Sequence, residues 1–263
     1  MTARRDLAWP VYFAPSGNFG LAPGATFTLT GDEAHHAGRV RRHRLGEWIV
    51  VASGDGQWLA GPITEASGPN EVAITVRSAG FEPAPKPAVT VVQALPKSDR
   101  ADEAIESLTA VGVDRIVPWQ AGRSVAKWAP DRVARGLARW RRTAVEASKQ
   151  SRRMRPPTVD SPVDSAELAA RLQVGETALV CHEQSELPIV EADVAASAAE
   201  ITIVIGPEGG IGDDELALLA EAGAQPVSLG PTVLRTSLAG ALAAGLVLAR
   251  TGRLSARPGP DAP

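Results

Sequence analysis

The chain has 263 residues, of which 44% are hydrophobic, and a net charge of −3 at neutral pH. This length corresponds to one or two domains, and the hydrophobic content is sufficient for a packed core. The single cysteine excludes a disulfide framework, and the four histidines lack metal-ligand spacing, so we expect no metal site. The longest apolar run, residues 238–249, is too short to span a bilayer, and the N-terminus shows no secretory signal pattern. We therefore expect a soluble, cytoplasmic protein with no membrane partner.

Positive charge is concentrated in two stretches despite the negative total. Residues 132–155 contain nine Lys and Arg residues and one acid, whereas residues 173–234 contain eleven acids and no Lys or Arg. A second basic group consists of Arg39, Arg41, Arg42 and Arg44. Because salt screens charges that are more than about 8–10 Å apart, a polyanion responds to a local patch rather than to the total charge. One Arg-rich helix can be a merely solvated face, but two basic clusters favour a polyanion-binding surface.

The first 80 residues have the pattern of short strands joined by turns. Alternating or β-branched runs predict strands at residues 25–30, 47–53, 57–64 and 71–76. One helix is predicted from Asp32 to about His43. This pattern predicts a small β-barrel domain over residues 1–80, and the proline-rich residues 81–88 predict a linker.

Strands alternate with helices after the linker. Strands are predicted at residues 89–95, 115–119, 176–182, 200–206 and 226–230. Helices are predicted at about residues 101–112, with Ser98 or Asp99 as the cap, and at 131–150, 188–197, 213–223 and 235–251. The alternation indicates an α/β domain over residues 89–252 with a mostly parallel sheet that is covered on both faces. Residues 253–263 are predicted to be a disordered tail.

A glycine loop, Gly206-Pro207-Glu208-Gly209-Gly210, joins a predicted strand to a predicted helix. It is not a P-loop, because no Gly-Lys-Ser/Thr follows, and its glycines do not have the spacing of a dinucleotide fingerprint. Pro207 also lacks the amide that a phosphate would use. The loop therefore favours a ligand of mixed polarity, such as adenosine with an amino-acid tail, although an ordinary tight turn has the same pattern.

A second turn, Gly230-Pro231, repeats this layout before a helix that is rich in Ala, Gly and Leu. Because the carboxyl ends of parallel strands meet at one edge of a sheet, the two Gly-Pro turns are expected to border one crevice. The helix at 235–251 is nearly uncharged before Arg250, so we expect it to be buried, in part against a partner subunit. Arg235 opens this helix, where the helix dipole disfavours a cation, and this favours a functional role for Arg235 over a structural ion pair.

The two motifs GPEGGIGDDEL and LGPTVLRT resemble those of the knotted methyltransferases of the SPOUT superfamily, and more narrowly those of the ribosomal RNA small subunit methyltransferase E family. The stretch DEAHHAGRVRRHRLGEWIVVASGDGQW is similar to the family's PUA-like barrel, and EASKQSRRMRPP matches its Gln-Ser-x-Arg segment at Gln150, Ser151 and Arg153. The resemblance implies an α/β trefoil-knotted SPOUT domain behind an N-terminal PUA-like β-barrel. It further implies a homodimer that uses S-adenosylmethionine to methylate N3 of a uridine in the 16S rRNA of the small ribosomal subunit.

The resemblance also implies the residues of the site. The cofactor-binding residues are Gly206, Pro207, Glu208, Gly209 and Gly210 on one side, and Leu229, Gly230, Leu234 and Thr236 on the other. Arg235 is the candidate catalytic residue, because a guanidinium at O2 or O4 of uridine would stabilise the anion that forms when N3 loses its proton. The candidate RNA-binding residues are Arg39, Arg41, Arg42, Arg44, Arg123, Gln150 and Arg153. Glu208 could hold Arg235 or the cofactor amine, or it could accept hydrogen bonds from backbone amides.

Two positions depart from the family pattern. Ser237-Leu238 replaces Glu-Thr, so no catalytic glutamate is available there, and Lys149 stands where an acid is common. His182 is expected to make a structural hydrogen bond, and Cys181 is expected to be a small buried residue. Two other functions stay open. Another enzyme of the superfamily would methylate a ribose 2′-hydroxyl or a guanine, and a non-catalytic protein would bind RNA during ribosome assembly.

Overall fold

The computed structural model describes residues 9–68, 70–97, 100–172, 177–194 and 198–254. Apart from the gaps just given, the described residues form two compact units, the first made of residues 9–84 and 148–156 and the second of residues 85–147 and 157–254. The predicted helix cap at Ser98 or Asp99 lies outside the described residues, as does the predicted tail beyond Leu254. Within the described ranges, no helix has the length and apolar character that are needed to cross a membrane.

A six-stranded sheet forms the first unit. Its strands are β1 (Val11–Phe13), β2 (Thr26–Thr30), β3 (Trp48–Ala52), β4 (Gln57–Gly68), β5 (Glu71–Thr75) and β6 (Ser78–Phe81). Their order is β1-β3-β4-β5-β2, with β6 also paired to β4. The long strand β4 changes partners near Ile63, from β3 and β6 to β5, through register shifts that bend it. The described strands β1 and β2 end this path without pairing to each other, and closure into the predicted barrel stays a prediction.

The helix predicted to reach His43 ends earlier. Helix α1 (Gly31–His35) continues as one π-helical turn, His36–Val40, which the Arg41 amide closes by donating to the His36 carbonyl at 2.8 Å. Arg42 then has a left-handed φ of 53°, a conformation that a helix cannot continue through. The four arginines of the segment 39–44 are all exposed.

Residues 148–156 are attached to this sheet by basic side chains. The Lys149 side chain is mostly buried, and its ammonium forms an ion pair with Glu33, so Lys149 has a structural contact. Arg155 donates to the Glu82 carbonyl at 2.8 Å, and its guanidinium lies over the Phe81 ring, 5.3 Å from the centroid. The sequence predicts that Lys149 and Arg155 belong to a polyanion-binding surface, but both side chains make contacts within the protein instead.

The second unit contains a parallel sheet, as predicted, but it has six strands rather than the five predicted from the sequence. Its strands are β7 (Ala88–Ala94), β8 (Arg115–Trp119), β9 (Thr158–Val159), β10 (Thr177–Cys181), β11 (Glu200–Ile205) and β12 (Gln225–Val227), in the order β12-β10-β11-β7-β8-β9. The helices are α2 (Ala101–Val111), α3 (Pro130–Ser151), α4 (Ser165–Arg171), α5 (Asp213–Glu221) and α6 (Thr236–Arg250). Helix α3 belongs to this unit up to Ala147. All pairs in the sheet are parallel, so the carboxyl ends of its strands share one edge.

Both faces of this sheet are covered. One apolar cluster packs α2, α3 and α6 on one face, and a second packs α4 and α5 on the other. The alternation along each strand supplies both clusters: in β7, for example, Val91 joins the first cluster and Val92 the second. Helix α2 ends as predicted at Gly112, whose left-handed φ of 112° suits glycine.

The prediction of a helix at residues 188–197 is wrong for its described part, residues 188–194, which forms turns. The Ser228 amide donates to the Leu187 carbonyl at 2.8 Å, and the Ile189 amide donates to the Ser228 carbonyl at 2.9 Å. The segment therefore pairs with the chain that follows β12, so these amide and carbonyl groups bond across to Ser228 instead of along a helix.

Candidate functional site

A cavity of about 290 Å³ opens at the carboxyl edge of the parallel sheet. Nine residues singled out in the sequence line it: Gly206, Pro207, Glu208, Gly210, Leu229, Gly230, Leu234, Arg235 and Thr236. The two Gly-Pro loops therefore border one crevice, as predicted, although β10 lies between β11 and β12 in the sheet. This position at the ends of parallel strands is where α/β proteins bind small ligands.

The hydroxyl of Thr236, the first residue of α6, joins the two loops. It donates to the Gly206 carbonyl at 2.6 Å and accepts from the Gln93 side-chain amide at 3.1 Å. Gln93 lies in β7, is fully buried, and donates with the same nitrogen to the Ala94 carbonyl at 3.1 Å. A buried chain of neutral hydrogen bonds thus fixes the Gly206 carbonyl against the start of α6.

Glycine is required in the first loop for close approach and for backbone conformation. A Cβ at Gly206 would lie 2.7 Å from Cγ1 of Ile211, and Gly210 has a left-handed φ of 73°. Gly209 differs from the other predicted cofactor-binding residues, because it does not line the cavity. A Cβ at Gly209 would lie 3.0 Å from the Arg123 carbonyl oxygen, so a side chain there would push on the segment at Arg123 rather than fill the cavity.

Two carboxylates connect the first loop and the helix that follows it to neighbouring segments. Glu208 accepts a hydrogen bond from the Lys97 amide at 3.3 Å. A bond to a backbone amide is one of the roles that the sequence analysis considered for Glu208. Glu215 of α5 accepts from the Gly122 amide at 2.8 Å and from the Ser165 hydroxyl. The next residue, Arg123, donates to the Ile211 carbonyl at 3.5 Å, so this candidate RNA-binding residue lies beside the glycine loop.

The lining carries charge of both signs. Arg235 caps α6 with an extended backbone (φ −64°, ψ 141°) and has an exposed side chain. Arg100, which the sequence analysis missed, is half-buried directly before α2 and also lines the cavity, opposite in charge to Glu183 and Glu208. Arg100 follows the carboxyl end of β7, and the site lies at the carboxyl edge of the sheet. This position in the sequence could have identified Arg100 as a candidate.

The end of β10 contributes two further lining residues, which sequence reasoning considered structural. His182 accepts from the Gln184 amide at 3.3 Å through Nδ1, so the predicted structural hydrogen bond is confirmed. Cys181 is half-buried, and burial raises the pKa of its thiol to about 12, which favours the neutral thiol near pH 7. Among the described residues, no group of three or more His, Cys, Asp or Glu side chains is placed to hold a metal ion.

The other candidate RNA-binding residues belong to the first unit. Those with exposed side chains are Arg39, Arg41, Arg42, Arg44 and Gln150. Arg153 is half-buried, and its amide donates to the Ser148 carbonyl at 2.9 Å, which closes the end of α3. The structure thus places Arg123 beside the glycine loop, outside the lining of the cavity, and gathers four arginines in one exposed segment of the first unit.

Comparison with known proteins places the chain in a family. It matches a family model of an RNA methyltransferase domain over residues 82–248 and one of an RNA methyltransferase PUA domain over residues 29–77. A protein of Mycobacterium bovis named ribosomal RNA small subunit methyltransferase E is 46% identical over 237 residues, which are 89% of this chain and 90% of that protein. The chain belongs to the ribosomal RNA small subunit methyltransferase E family. The family resemblance inferred from the two loop motifs is therefore confirmed.

Two further relatives extend the comparison. A Bacillus subtilis protein of the same name is 29% identical over 234 residues, which are 87% of this chain and 91% of that protein. The crystal structure of a ribosomal RNA small subunit methyltransferase E from Neisseria gonorrhoeae, bound to S-adenosyl methionine, is similar with a TM-score of 0.80 and 25% identity. That similarity covers 92% of this chain and 98% of the Neisseria chain, so it extends over both units.

Proposed function

We propose that this protein transfers a methyl group from S-adenosylmethionine to N3 of a uridine in the 16S rRNA of the small ribosomal subunit. The observation that carries the proposal is the cavity, in which two loops that match the family's motifs present backbone groups at the carboxyl edge of the sheet. A trefoil knot in these loops and a closed PUA-like barrel in the first unit are part of the same proposal. A ribosomal substrate implies action in the cytoplasm.

The lining fits S-adenosylmethionine. Ile205, Ile211 and Leu229 offer apolar surface for an adenine ring, and the loop backbones offer amides and carbonyls for its polar edge. The carboxylates of Glu183 and Glu208 suit a ligand that carries positive charge. When bound, S-adenosylmethionine supplies an electrophilic methyl group. The proposed cofactor-binding residues are Gly206, Pro207, Glu208, Gly209, Gly210, Leu229, Gly230, Leu234 and Thr236, with Gly209 acting through its packing on Arg123.

Arg235 is the proposed catalytic residue. Its neighbour Thr236 is fixed by the hydrogen bond to Gly206, whereas the Arg235 side chain is exposed at the cavity. Uridine N3 becomes nucleophilic as its proton leaves, and negative charge then spreads to O2 and O4. A guanidinium at one of these oxygens stabilises that charge in the transition state more than in the ground state.

The proposed RNA-binding residues are Arg39, Arg41, Arg42, Arg44, Arg123, Gln150 and Arg153. The exposed arginines of the first unit suit contacts with phosphates, which position an RNA without reading its sequence. Arg123 suits the nucleotide nearest the cavity, because its chain packs on the glycine loop.

We also propose a homodimer that forms through α6. This helix exposes Leu238 and Leu242, which lie one turn apart and are 52% and 38% exposed. The small residues Ala241 and Gly245 beside them are half-buried and would let a second helix approach closely. An apolar, self-complementary helix face is typical of two-fold interfaces.

The proposed reaction is tested by nucleoside mapping of 16S rRNA from cells with and without the protein. We expect one 3-methyluridine to disappear with the protein and to return when purified protein and S-adenosylmethionine are added to small subunits. Loss of a ribose 2′-O-methyl or a methylguanine instead would indicate another enzyme of the superfamily. An unchanged set of modified nucleosides would indicate a non-catalytic RNA-binding protein.

Arg235→Ala should lower the rate of methyl transfer by about 10²–10³, the usual effect of removing one electrostatic donor. The affinity for S-adenosylmethionine should change less than about tenfold, because the proposed cofactor contacts are made by backbone groups of the loops and not by the Arg235 side chain. Arg235→Lys, which keeps the charge, should recover part of the rate. Single-turnover methylation and calorimetry measure the two quantities. A variant that loses the cofactor but keeps its rate at saturation would show that Arg235 is only a wall of the cavity.

Leu238→Glu combined with Leu242→Glu should convert the dimer to a monomer, because the two acids would bring like charges together in the interface. Sedimentation velocity at micromolar concentration measures the state. The control, Val40→Glu with Leu45→Glu, changes two exposed apolar residues of the first unit and should leave the dimer intact. A wild-type protein that is monomeric and active would refute the dimer.

A further inference from the structure

A second cavity, of about 980 Å³, lies in the same unit outside the candidate site. Leu95 and Pro96, which follow β7, and Ala101 of α2 form one side of it, and the first half of α3 forms the other. The segment between them also supplies Arg100 to the first cavity, so the two cavities are neighbours. We call the second one the α3 groove. None of its residues belongs to the proposed cofactor, catalytic or RNA-binding sets.

Four arginines of α3 line this groove as one row. Arg132, Arg135, Arg139 and Arg142 are three, four and three residues apart. At about 100° per residue, this spacing places all four within an arc of about 80° on one face of the helix. The groove is therefore lined along one wall by guanidinium groups.

Only one of these four arginines forms an ion pair with an acid among the described residues. Arg139 forms a bidentate pair with Asp102, in which the Nη2–Oδ2 distance is 2.8 Å and the Nε–Oδ1 distance is 3.0 Å. Arg132, Arg135 and Arg142 make no ion pair with the described acids, although the charge of Arg142 helps to lower the pKa of the Asp102 carboxyl. The described residues that line the groove include no acid. A row of unpaired cations in a groove attracts a polyanion strongly, because the walls focus the field.

An aromatic ring is held beside the arginine row. The Trp128 indole lies against Gly136, where a Cβ would be only 2.6 Å from the indole Cε2. It meets the buried Trp140 edge-on, with ring centroids 5.3 Å apart at an angle of 76°. A glycine inside a helix is less stable than an alanine, so α3 gives up some helix stability to admit this ring. Trp128 itself remains half-exposed in the groove.

We propose that the α3 groove binds a single-stranded segment of the substrate RNA. Its phosphates lie along Arg132, Arg135 and Arg142, and one unpaired base packs on Trp128. Cations alone would accept any polyanion, whereas cations beside a rigid aromatic ring are the combination that binds single strands. This inference rests on the proposed function, since it names where the RNA beyond the reacting nucleotide is held.

Binding of a single-stranded RNA oligonucleotide by the full chain, measured by fluorescence anisotropy at several salt concentrations, tests the groove. Arg132→Gln with Arg135→Gln should weaken binding about tenfold and reduce the slope of log affinity against log salt by about 1.4, because each phosphate contact on a single strand contributes about 0.7. Lys86→Gln with Arg171→Gln removes the same charge from exposed positions of the same unit outside the groove and should change affinity less than about twofold.

The aromatic contact has a different signature. Trp128→Leu should weaken binding about tenfold and leave the salt slope unchanged, and Trp128→Phe should restore most of the affinity, because stacking is not ionic. All variants should bind S-adenosylmethionine like the wild type, which also shows that they fold.

Equal losses of RNA affinity in the groove variant and the control variant would overturn the proposal. So would duplex RNA that binds as tightly as single strands, together with no effect of Trp128→Leu. Methylation is not read in this assay. A wild-type protein that binds the oligonucleotide but leaves rRNA unmethylated would therefore contradict the proposed reaction, while the variants would still decide the groove.

Discussion

The hydrogen bond from the Thr236 hydroxyl to the Gly206 carbonyl is the contact on which the candidate site depends. It joins two loops that follow strands that are not neighbours in the sheet, and it does so from the first residue of α6. The Gln93 side chain supports it from β7 and is itself fully buried. Loss of the hydroxyl would leave buried polar groups unsatisfied, at a cost of about 1–3 kcal/mol each. This contact therefore fixes the two loops relative to each other.

This constraint separates two tasks within one short segment. The Gly206 carbonyl and the Thr236 hydroxyl are joined by a hydrogen bond, and the backbone around them is the proposed binding surface for the cofactor. The side chain of Arg235 is exposed between them and can meet the nucleotide. In the proposed reaction, cofactor affinity and reaction rate would therefore depend on different atoms of adjacent residues. The proposed cofactor cavity and the proposed RNA-binding α3 groove are likewise separate, although both are lined in part by the segment that follows β7.

Much of the second unit could be predicted from the sequence, because its buried strands are β-branched runs and its loops carry glycines at strand ends. The parallel sheet, the shared crevice and the glycine that ends α2 are confirmed. The prediction of a helix at 188–197 is wrong because the segment pairs with Ser228, some forty residues away. Local periodicity carries no information about a contact at that distance in the sequence. Arg100 was missed for a similar reason, since only the fold brings it to the loops.

Charge was the property that the sequence predicted least well. Lys149, Arg139 and Arg155 read as members of one basic surface, yet each is bound to a carboxylate or a carbonyl. Counting charges along a helix cannot distinguish such residues from unpaired ones, because the partners are distant in sequence. The spacing of Arg132, Arg135 and Arg142 was visible, but the groove and the ring of Trp128 beside them required the structure.

A calorimetric titration of S-adenosylmethionine against Thr236→Val and Thr236→Ser measures the central contact directly. Valine keeps the shape of the side chain but cannot donate to Gly206, whereas serine keeps the hydroxyl. We predict that the valine variant, with its secondary structure intact by circular dichroism, binds at least about tenfold more weakly. The serine variant should stay within about threefold of the wild type. Wild-type affinity in the valine variant would contradict the view that this hydrogen bond holds the binding loops in place.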